Sequence, residues 1–491
     1  MAVVEPLELN EAAGARRRGP MRPAALASSR RRIEPSAIVR LFGCLDRVLI
    51  VLGVLIALNA HGPMLDRPVA TAAPILIGGL CLHWFMRGAT FYGFPPRHST
   101  AAHLLRIGGV GAAATALAGL GAIVLGQNPR AALQPMAALA LALMAAHLGW
   151  WFVVQGWRRA GRLTPNIVVV GATENARRLI EAAIASRDVA ILGVFDDRAA
   201  RSPEAVGGVP VLGDTSALLN HPLLPFVDRI VITVPASAQV RVRALIDRLR
   251  VLPNAITLFM DLDGAEARAA TVSRLARATT THVAGAQADE KRAFEKRVQD
   301  LLLGSLALLV ALPVMALIGL LVKLDSPGPA LFRQRRHGFN NEIITVWKFR
   351  SMRVEAADAT AARQISKDDN RVTRVGRIIR KLSLDELPQL INVVRGEMSL
   401  VGPRPHAIGM KTAGEDSARL VAEYAWRHRM KPGITGWAQI NGSIGAVDTP
   451  EAVRRRVALD IEYIESQSLW FDLYILLMTV PALVMARNVV R

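Results

Sequence analysis

Four apolar runs dominate the first third of the chain, at roughly 41–60, 69–91, 104–126 and 131–155. Each is about 20 residues long, enough to cross a hydrocarbon layer of ~30 Å as a helix. Polar texture returns near residue 165, and the pattern becomes that of alternating strands and helices. "NIVVVGATENARRLIEAAIA" reads as a buried strand, a tight turn and a helix, "AILGVFDD" as a second strand and "DRIVITVP" as another. A second apolar block, "LLLGSLALLVALPVMALIGLLV" at 301–322, carries Pro313 near its middle. The pattern therefore predicts a basic disordered tail (1–40), four transmembrane helices (41–157) and a Rossmann-like α/β domain (163–265). A linker (266–293) and a mostly helical third domain (294–491) follow.

Charge orients these pieces. The tail has arginine triplets at 16–18 and 30–32, and no small-residue cleavage site closes a short apolar region, so it does not read as a secretory signal. The connection between the second and third runs, with the ends that flank it, carries Arg87, Arg97 and Arg106, whereas the other two connections hold one arginine each, Arg67 and Arg130. "WRRAGR" at 157–162 follows the fourth run. Basic residues stay on the cytoplasmic side, so both ends of the bundle belong there. The block 301–322 has Lys291, Arg292, Lys296 and Arg297 before it and Lys323, Arg333, Arg335 and Arg336 after it. Positive charge on both flanks, with a proline that removes a backbone bond, predicts a re-entrant helical hairpin kinked at Pro313. "SLWFDLYILLMTVPALVMARN", interrupted by Asp472 and Pro481, predicts an interfacial helix.

Composition narrows the partners. The 491 residues are 52% hydrophobic, only 20% charged, and carry a formal net charge of +20. In so apolar a chain that excess fits anionic lipid headgroups or phosphorylated substrates better than nucleic acid. Cys44 and Cys81 both lie in apolar runs, which gives no disulfide framework and no thiolate metal site. The turn after the first α/β strand, Gly171 to Ala176, keeps only the first glycine of a dinucleotide fingerprint, so a regulatory or scaffolding module is favoured there.

The candidate chemistry sits in "LSLDELPQLINVVRGEMSLVGPRP" at 382–405, where Asp385 and Glu386 stand among Arg377, Arg380, Lys381, Arg395 and Arg404. Ser383 and Glu386 match a capping box, but Pro388 would then fall at the fifth helical position. Moving the cap to Asp385 brings Pro388 into the first turn, where it is tolerated. Spacing leaves cap, metal ligand and nucleophile all open for that carboxylate.

The stretch from about 294 onward resembles the bacterial sugar transferases, the monotopic-type phosphoglycosyl transferases. The resemblance is carried by the proline-broken apolar segment, "DSPGP", "FRQRRHG", "WKFRSM", "LSLDELPQLINVVRGEMSLVGPRPHA", "RHRMKPGITGWAQING" and "DIEYIESQSLWFDLYI". With the helices and α/β domain ahead of it, the chain is similar to the large members that initiate exopolysaccharide or capsule repeat units. The resemblance implies transfer of a sugar-1-phosphate from a UDP-sugar to undecaprenyl phosphate at the bacterial inner membrane, with UMP released on the cytoplasmic side. It implies Asp385 as the nucleophile that forms an aspartyl phosphosugar, Glu386 as the Mg²⁺ ligand, and Lys348, Arg350, Arg380 and Arg404 as phosphate-binding groups. Gly433, Gly436, Trp437 and Gln439 are implied at the uridine pocket. "GPRPHA" is more similar to the members that transfer glucose-1-phosphate, with galactose-1-phosphate or another sugar as the alternative. In some small members a serine precedes the hairpin proline; here that residue is Leu312. A membrane-anchored NAD-dependent dehydratase is excluded, because none of the four tyrosines has a lysine four residues later. A non-enzymatic scaffold would describe residues 1–270 but leaves the C-terminal motifs without a use. Association into homo-oligomers stays open.

Overall fold

The computed structural model describes residues 33, 35–59, 69–88, 91–93, 99–186, 189–198, 203–234, 238–259, 282–284, 290–353, 371–406, 411–412, 415–416, 421, 423–443, 445 and 449–485. Most of the expected basic tail, and of the expected linker, lies outside them. The described chain is mainly helical with a mixed sheet, and it divides into two compact units, residues 33–163 and the rest.

The first unit is four helices, α1 (Pro35–Asn59), α2 (Val69–Gly88), α3 (Thr100–Val124) and α4 (Arg130–Arg159). All four are long and apolar enough to cross a membrane. Their packing face combines Ile50, Leu58, Ile75, Leu82, Met136 and Leu143 with the small residues Ala114, Ala118 and Ala122 of α3. Small side chains let helix backbones approach where lipid offers no hydrophobic drive to associate. Outward-facing Ile56, Leu80, Trp84 and Leu105 stay exposed, as a lipid-facing surface requires. Asp46 of α1 is only 1% exposed. Its Oδ2 accepts from the Tyr92 hydroxyl and lies 3.1 Å from His147 Nε2, and His147 Nδ1 lies 3.1 Å from His103 Nε2. This chain of polar groups joins α1, α3 and α4 and has no signature in the hydropathy pattern.

The second unit opens with a seven-stranded sheet in the order β3-β4-β2-β1-β5-β6-β7. Its strands are β1 (Asn166–Val170), β2 (Ala190–Phe195), β3 (Ala205–Val206), β4 (Val209–Gly213), β5 (Arg229–Ile232), β6 (Ala255–Leu258) and β7 (His282–Ala284). The five central members pair in parallel, with α5 (Glu174–Ser186), α6 (Thr215–Leu219) and α7 (Gln239–Leu249) between them. β7 lies within the expected linker but pairs antiparallel with β6, covering an edge that would otherwise expose unpaired backbone groups. After β1 the chain turns at Gly171 (φ 105°), and the Ala172 amide is taken by Asp196 Oδ2 at 2.6 Å. Arg198 Nη2 binds the same oxygen at 2.7 Å. The carboxylate that a dinucleotide ribose would need is therefore already engaged by the protein.

The C-terminal portion is built on α8 (Glu290–Asp325), a fifth helix of membrane-crossing length. The segment 301–322, expected as a hairpin, runs within this one helix with Pro313 inside it. After α8 come the antiparallel pair β8 (Leu331–His337) and β9 (Ile343–Phe349), α9 (Arg374–Lys381) and α10 (Gln389–Arg395). Then follow β10 (Ser399–Val401), β11 (Gly433–Thr435), the short α11 (Trp437–Ile440), α12 (Pro450–Ser466) and α13 (Leu469–Met485). The core joins Ile344, Val346, Leu390, Val393, Leu400, Tyr463 and Ile475, with Leu303, Ala307 and Ala311 of α8 against it. The start of α13 is locked to α8 by a buried ion pair, Lys296 Nζ to Asp472 at 2.8 Å, and Tyr463 donates to the same carboxylate at 2.7 Å. Trp470, 81% exposed, and Leu477 then line the outer side of α13.

The β8–β9 turn meets the α/β domain at Asn340. Asn340 is buried in a left-handed conformation (φ 55°), and its Nδ2 donates to Val227 O at 2.8 Å and Leu224 O at 3.2 Å. Asn254 Nδ2 donates to its Oδ1 at 2.8 Å. Asparagine suits both demands, tolerating positive φ while carrying donors and an acceptor. Asn340→Ala strands these partners and is expected to cost about 1–3 kcal/mol. Chemical denaturation of the full-length protein in detergent measures this, and unchanged stability would show that the docking contributes nothing.

Candidate active site

The acidic pair lies on a single 3-10 turn, Leu384–Glu386, between α9 and α10. The cap expected at Asp385 is not there. Pro388 occupies the N-cap position of α10, and Ser383 has left-handed backbone (φ 57°) as the chain leaves α9. The reason is local: the Ser383 amide bonds back to Arg380 O at 3.0 Å, closing α9, and Glu386 N then bonds Ser383 O at 3.3 Å. In a 3-10 turn, positions three apart eclipse. Leu384 and Leu387 therefore share one side and enter the apolar cluster of Ile318, Val322, Phe349 and Ile379. Asp385 and Glu386 take the remaining sides.

Glu386, 16% exposed, sits between two cations. Lys348 Nζ is 2.8 Å from its Oε1, and Arg404 reaches Oε1 at 2.7 Å and Oε2 at 3.4 Å. Burial pushes the Glu386 carboxyl up, but Arg404 and Lys348 outweigh it and hold it far below the usual carboxylate range. Asp385 goes the other way. Burial and then the neighbouring Glu386 charge raise its pKa, against Lys348, Arg380 and Arg404. Among the described residues none hydrogen-bonds the Asp385 carboxylate. One acid is thus pinned as an anion and its neighbour is left unengaged at an electropositive spot, the separation of roles that paired catalytic carboxylates require.

Each cation is delivered by a separate device. Lys348 lies on β9, where Phe332↔Lys348, Gln334↔Val346 and Arg336↔Ile344 face one another across the hairpin. Strand alternation puts Gln334, Arg336 and Lys348 on the inner face. Asn392 of α10 holds β9 in register by accepting from Trp347 N at 3.1 Å and donating to Thr345 O at 2.8 Å. Arg404 follows Gly402, which crosses the β11 segment at backbone contact. A Cβ on Gly433 would lie 2.1 Å from Gly402 N, and one on Gly436 2.2 Å from Gly402 O. The glycines of "KPGITG" thus serve the close approach that aims Arg404.

The other expected residues have different surroundings. Arg380 is half-buried near the pair and acts on Asp385 through its charge. Arg350 is not brought to the carboxylates: its guanidinium donates to Pro327 O at 2.8 Å, Ser326 O at 2.5 Å and Val322 O at 3.1 Å, capping the end of α8. Trp437 donates to Glu462 at 3.0 Å and packs edge-on to Phe471. Gln439 Nε2 makes a 3.4 Å bond to Ile434 O, while its buried Oε1 has no partner. Sequence reasoning passed over Arg336, which burial and the Arg404 charge push down to about 10, although the period-two pattern of "FRQRRH" points it inward with Lys348.

Residues 291–486 match the bacterial sugar transferase model, and residues 107–259 match a CoA-binding domain model. An undecaprenyl-phosphate glucose phosphotransferase of Komagataeibacter xylinus is 40% identical over 332 residues, 67% of this chain and 60% of that protein. A UDP-glucose:undecaprenyl-phosphate glucose-1-phosphate transferase of Escherichia coli (strain K12) is 51% identical over 185 residues, 38% of this chain and 39% of the relative. The exopolysaccharide production protein PSS of Rhizobium leguminosarum bv. phaseoli is 48% identical over 185 residues, and the chain covers 92% of it. The chain belongs to the bacterial sugar transferase family. Its match spans only 60% and 39% of the length of the first two relatives.

Proposed function

We propose that this chain transfers glucose-1-phosphate from UDP-glucose to undecaprenyl phosphate, releasing UMP, as the first step in building an exopolysaccharide repeat unit. The single observation that carries the reading is the unengaged Asp385 carboxylate beside a Glu386 clamped by Lys348 and Arg404. The Asp385 oxygen attacks the β-phosphorus of the sugar diphosphate, the bond to UMP breaks, and an aspartyl phosphosugar forms. An oxygen of the lipid phosphate then attacks that phosphorus, and Asp385 leaves. Lys348, Arg380 and Arg404 stabilise the charge that builds on the phosphoryl oxygens.

The lipid acceptor has support in the same turn. A groove of about 490 Å³ runs beside it, lined by Leu303, Leu306, Ala307 and Val310 of α8 with Leu384 and Leu387. Its lining residues are all apolar, and two of them, Leu384 and Leu387, flank the acidic pair in sequence. For Mg²⁺, Glu386 Oε2 keeps only the long 3.4 Å contact to Arg404, and Asp385 is adjacent. Hard carboxylate oxygens beside phosphate fit such an ion, although no group of three or more metal-ligating side chains occurs among the described residues. When bound, it would neutralise charge on the departing UMP.

The same proposal places the catalytic body on the cytoplasmic face of the inner membrane, with 301–322 re-entrant. Asp300 accepts from Ser399 Oγ and Leu400 N at 2.9 Å, and Val322 O accepts from Arg350. A crossing would set these two ends ~33 Å apart along a straight helix, on opposite sides of the bilayer. Both ends are bonded to one body, which supports re-entry.

UMP release from UDP-glucose with undecaprenyl phosphate in detergent tests the reaction, with other UDP-sugars as competing donors. Asp385→Asn is expected to abolish it, and substantial turnover by that variant would remove Asp385 as nucleophile. The raised Asp385 pKa leaves more of it protonated as pH falls, so activity should decline on the acid side sooner than for an ordinary carboxylate. Arg380→Gln removes a charge that lowers this pKa and should move the acid limb of kcat/KM to higher pH; an unmoved limb would show that Arg380 does not act on Asp385. Single cysteines at positions 295 and 325 should both label only from the cytoplasmic side, and labelling of either from outside would exclude re-entry.

A further inference from the structure

Arg404 lies in the segment Gly402-Pro403-Arg404-Pro405-His406, where the two prolines have no N–H to give. The segment is held chiefly through its carbonyl oxygens. Pro403 O accepts from Gly433 N at 3.0 Å and His406 O from His337 N at 3.3 Å. Pro405 O accepts from Arg336 Nη1, and Arg404 O accepts from Arg427 Nη2 at 2.9 Å. Arg427 is the largest of the fully buried side chains, and nothing in the proposed chemistry uses it.

Its surroundings fix the guanidinium from several sides. Nη2 also donates to Asp460 Oδ2 of α12 at 2.6 Å, and Nη1 lies 2.6 Å from His406 Nδ1. Burial and then the Arg427 charge drive the His406 pKa far down, so its imidazole is neutral and accepts from that donor. A buried Arg–Asp pair gains little net stability, because desolvation of both ions offsets their attraction. What it supplies is direction, since a planar fork bonded at two points has one orientation.

We propose that Arg427 is a positioning residue for the phosphoryl clamp. Oriented by Asp460, it holds the Arg404 carbonyl and the His406 ring, and so sets where the Arg404 guanidinium meets Glu386 and the substrate phosphates. Arg404 reaches Glu386 Oε1 at 2.7 Å but Oε2 only at 3.4 Å, so a small backbone drift would break the second contact first. The inference rests on the transferase reading of the site.

The test is a double-mutant cycle on the full-length protein in detergent, read as kcat and KM for UMP release from UDP-glucose. Displacement of a reacting group by about 1 Å costs on the order of 100-fold, so Arg427→Gln should lower kcat by roughly that factor with KM little changed. In an Arg404→Ala background the same substitution should change kcat by no more than about twofold, because there is no clamp left to aim. Asp460→Asn, which keeps the Arg427 contact but frees its fork, should show a smaller loss that likewise vanishes in that background, and it carries the test if Arg427→Gln does not fold. Losses that multiply in the double variants, or a folded Arg427→Gln with wild-type kcat, would overturn the positioning role alone. Wild-type protein that releases no UMP from any UDP-sugar would overturn the transferase reading and this inference with it.

Discussion

An acid held half-buried against a lysine and an arginine organises the C-terminal body. Lys348 is 38 residues before Glu386 in sequence and Arg404 is 18 after it. Neither cation can be taken from water cheaply unless the anion is in place, and the anion is costly without both cations. The elements around it read as means of delivery: a hairpin for Lys348, a 3-10 turn for Glu386, and a proline-stiffened segment over stacked glycines for Arg404. Burial, and then the same Glu386 charge that the cations offset, raise the Asp385 pKa, so its protonation answers to a pair it does not join.

The turn has a second face, and it is apolar. Leu384 and Leu387 anchor it to α8, so the charged pair stands at the edge of an apolar groove. Low polarity on one side strengthens the electrostatics on the other. Lys296–Asp472 ties α13 to the same helix, and Arg350 closes its far end, so the apolar scaffold is bound to the charged site by buried polar links. The Asn340 contact extends that chain of rigid parts from the β8–β9 hairpin to the α/β domain.

Much of this was legible along the chain. Apolar runs of about 20 residues predicted the four-helix unit, and shorter apolar runs between turns predicted the parallel sheet, because segments buried on all sides carry few polar residues. The acidic pair stood out by charge against its surroundings. The cap at Asp385 was misread because a 3-10 turn and the first turn of an α-helix place Pro388 equally well, and only the bond from Ser383 N to Arg380 O separates them. Arg350 looked like its basic neighbours; its use as a cap for α8 depends on carbonyls 23 to 28 residues away in sequence. Arg427 and Asp460 each open one of the quoted motifs, but their burial and their pairing left no trace, since a buried arginine and a solvated one are the same letter.

By itself the sequence determined which segments are apolar, which sheet they form, and which short stretch sets an acidic pair among basic residues. These are properties of local period and local charge. Tertiary structure alone decided that Lys348 and Arg404 converge on Glu386 rather than Asp385, that Arg350 supports a helix, and that Arg427 is buried behind Arg404. Those outcomes depend on contacts between residues far apart in the chain, where a difference of an ångström separates a bonded charge from a solvated one.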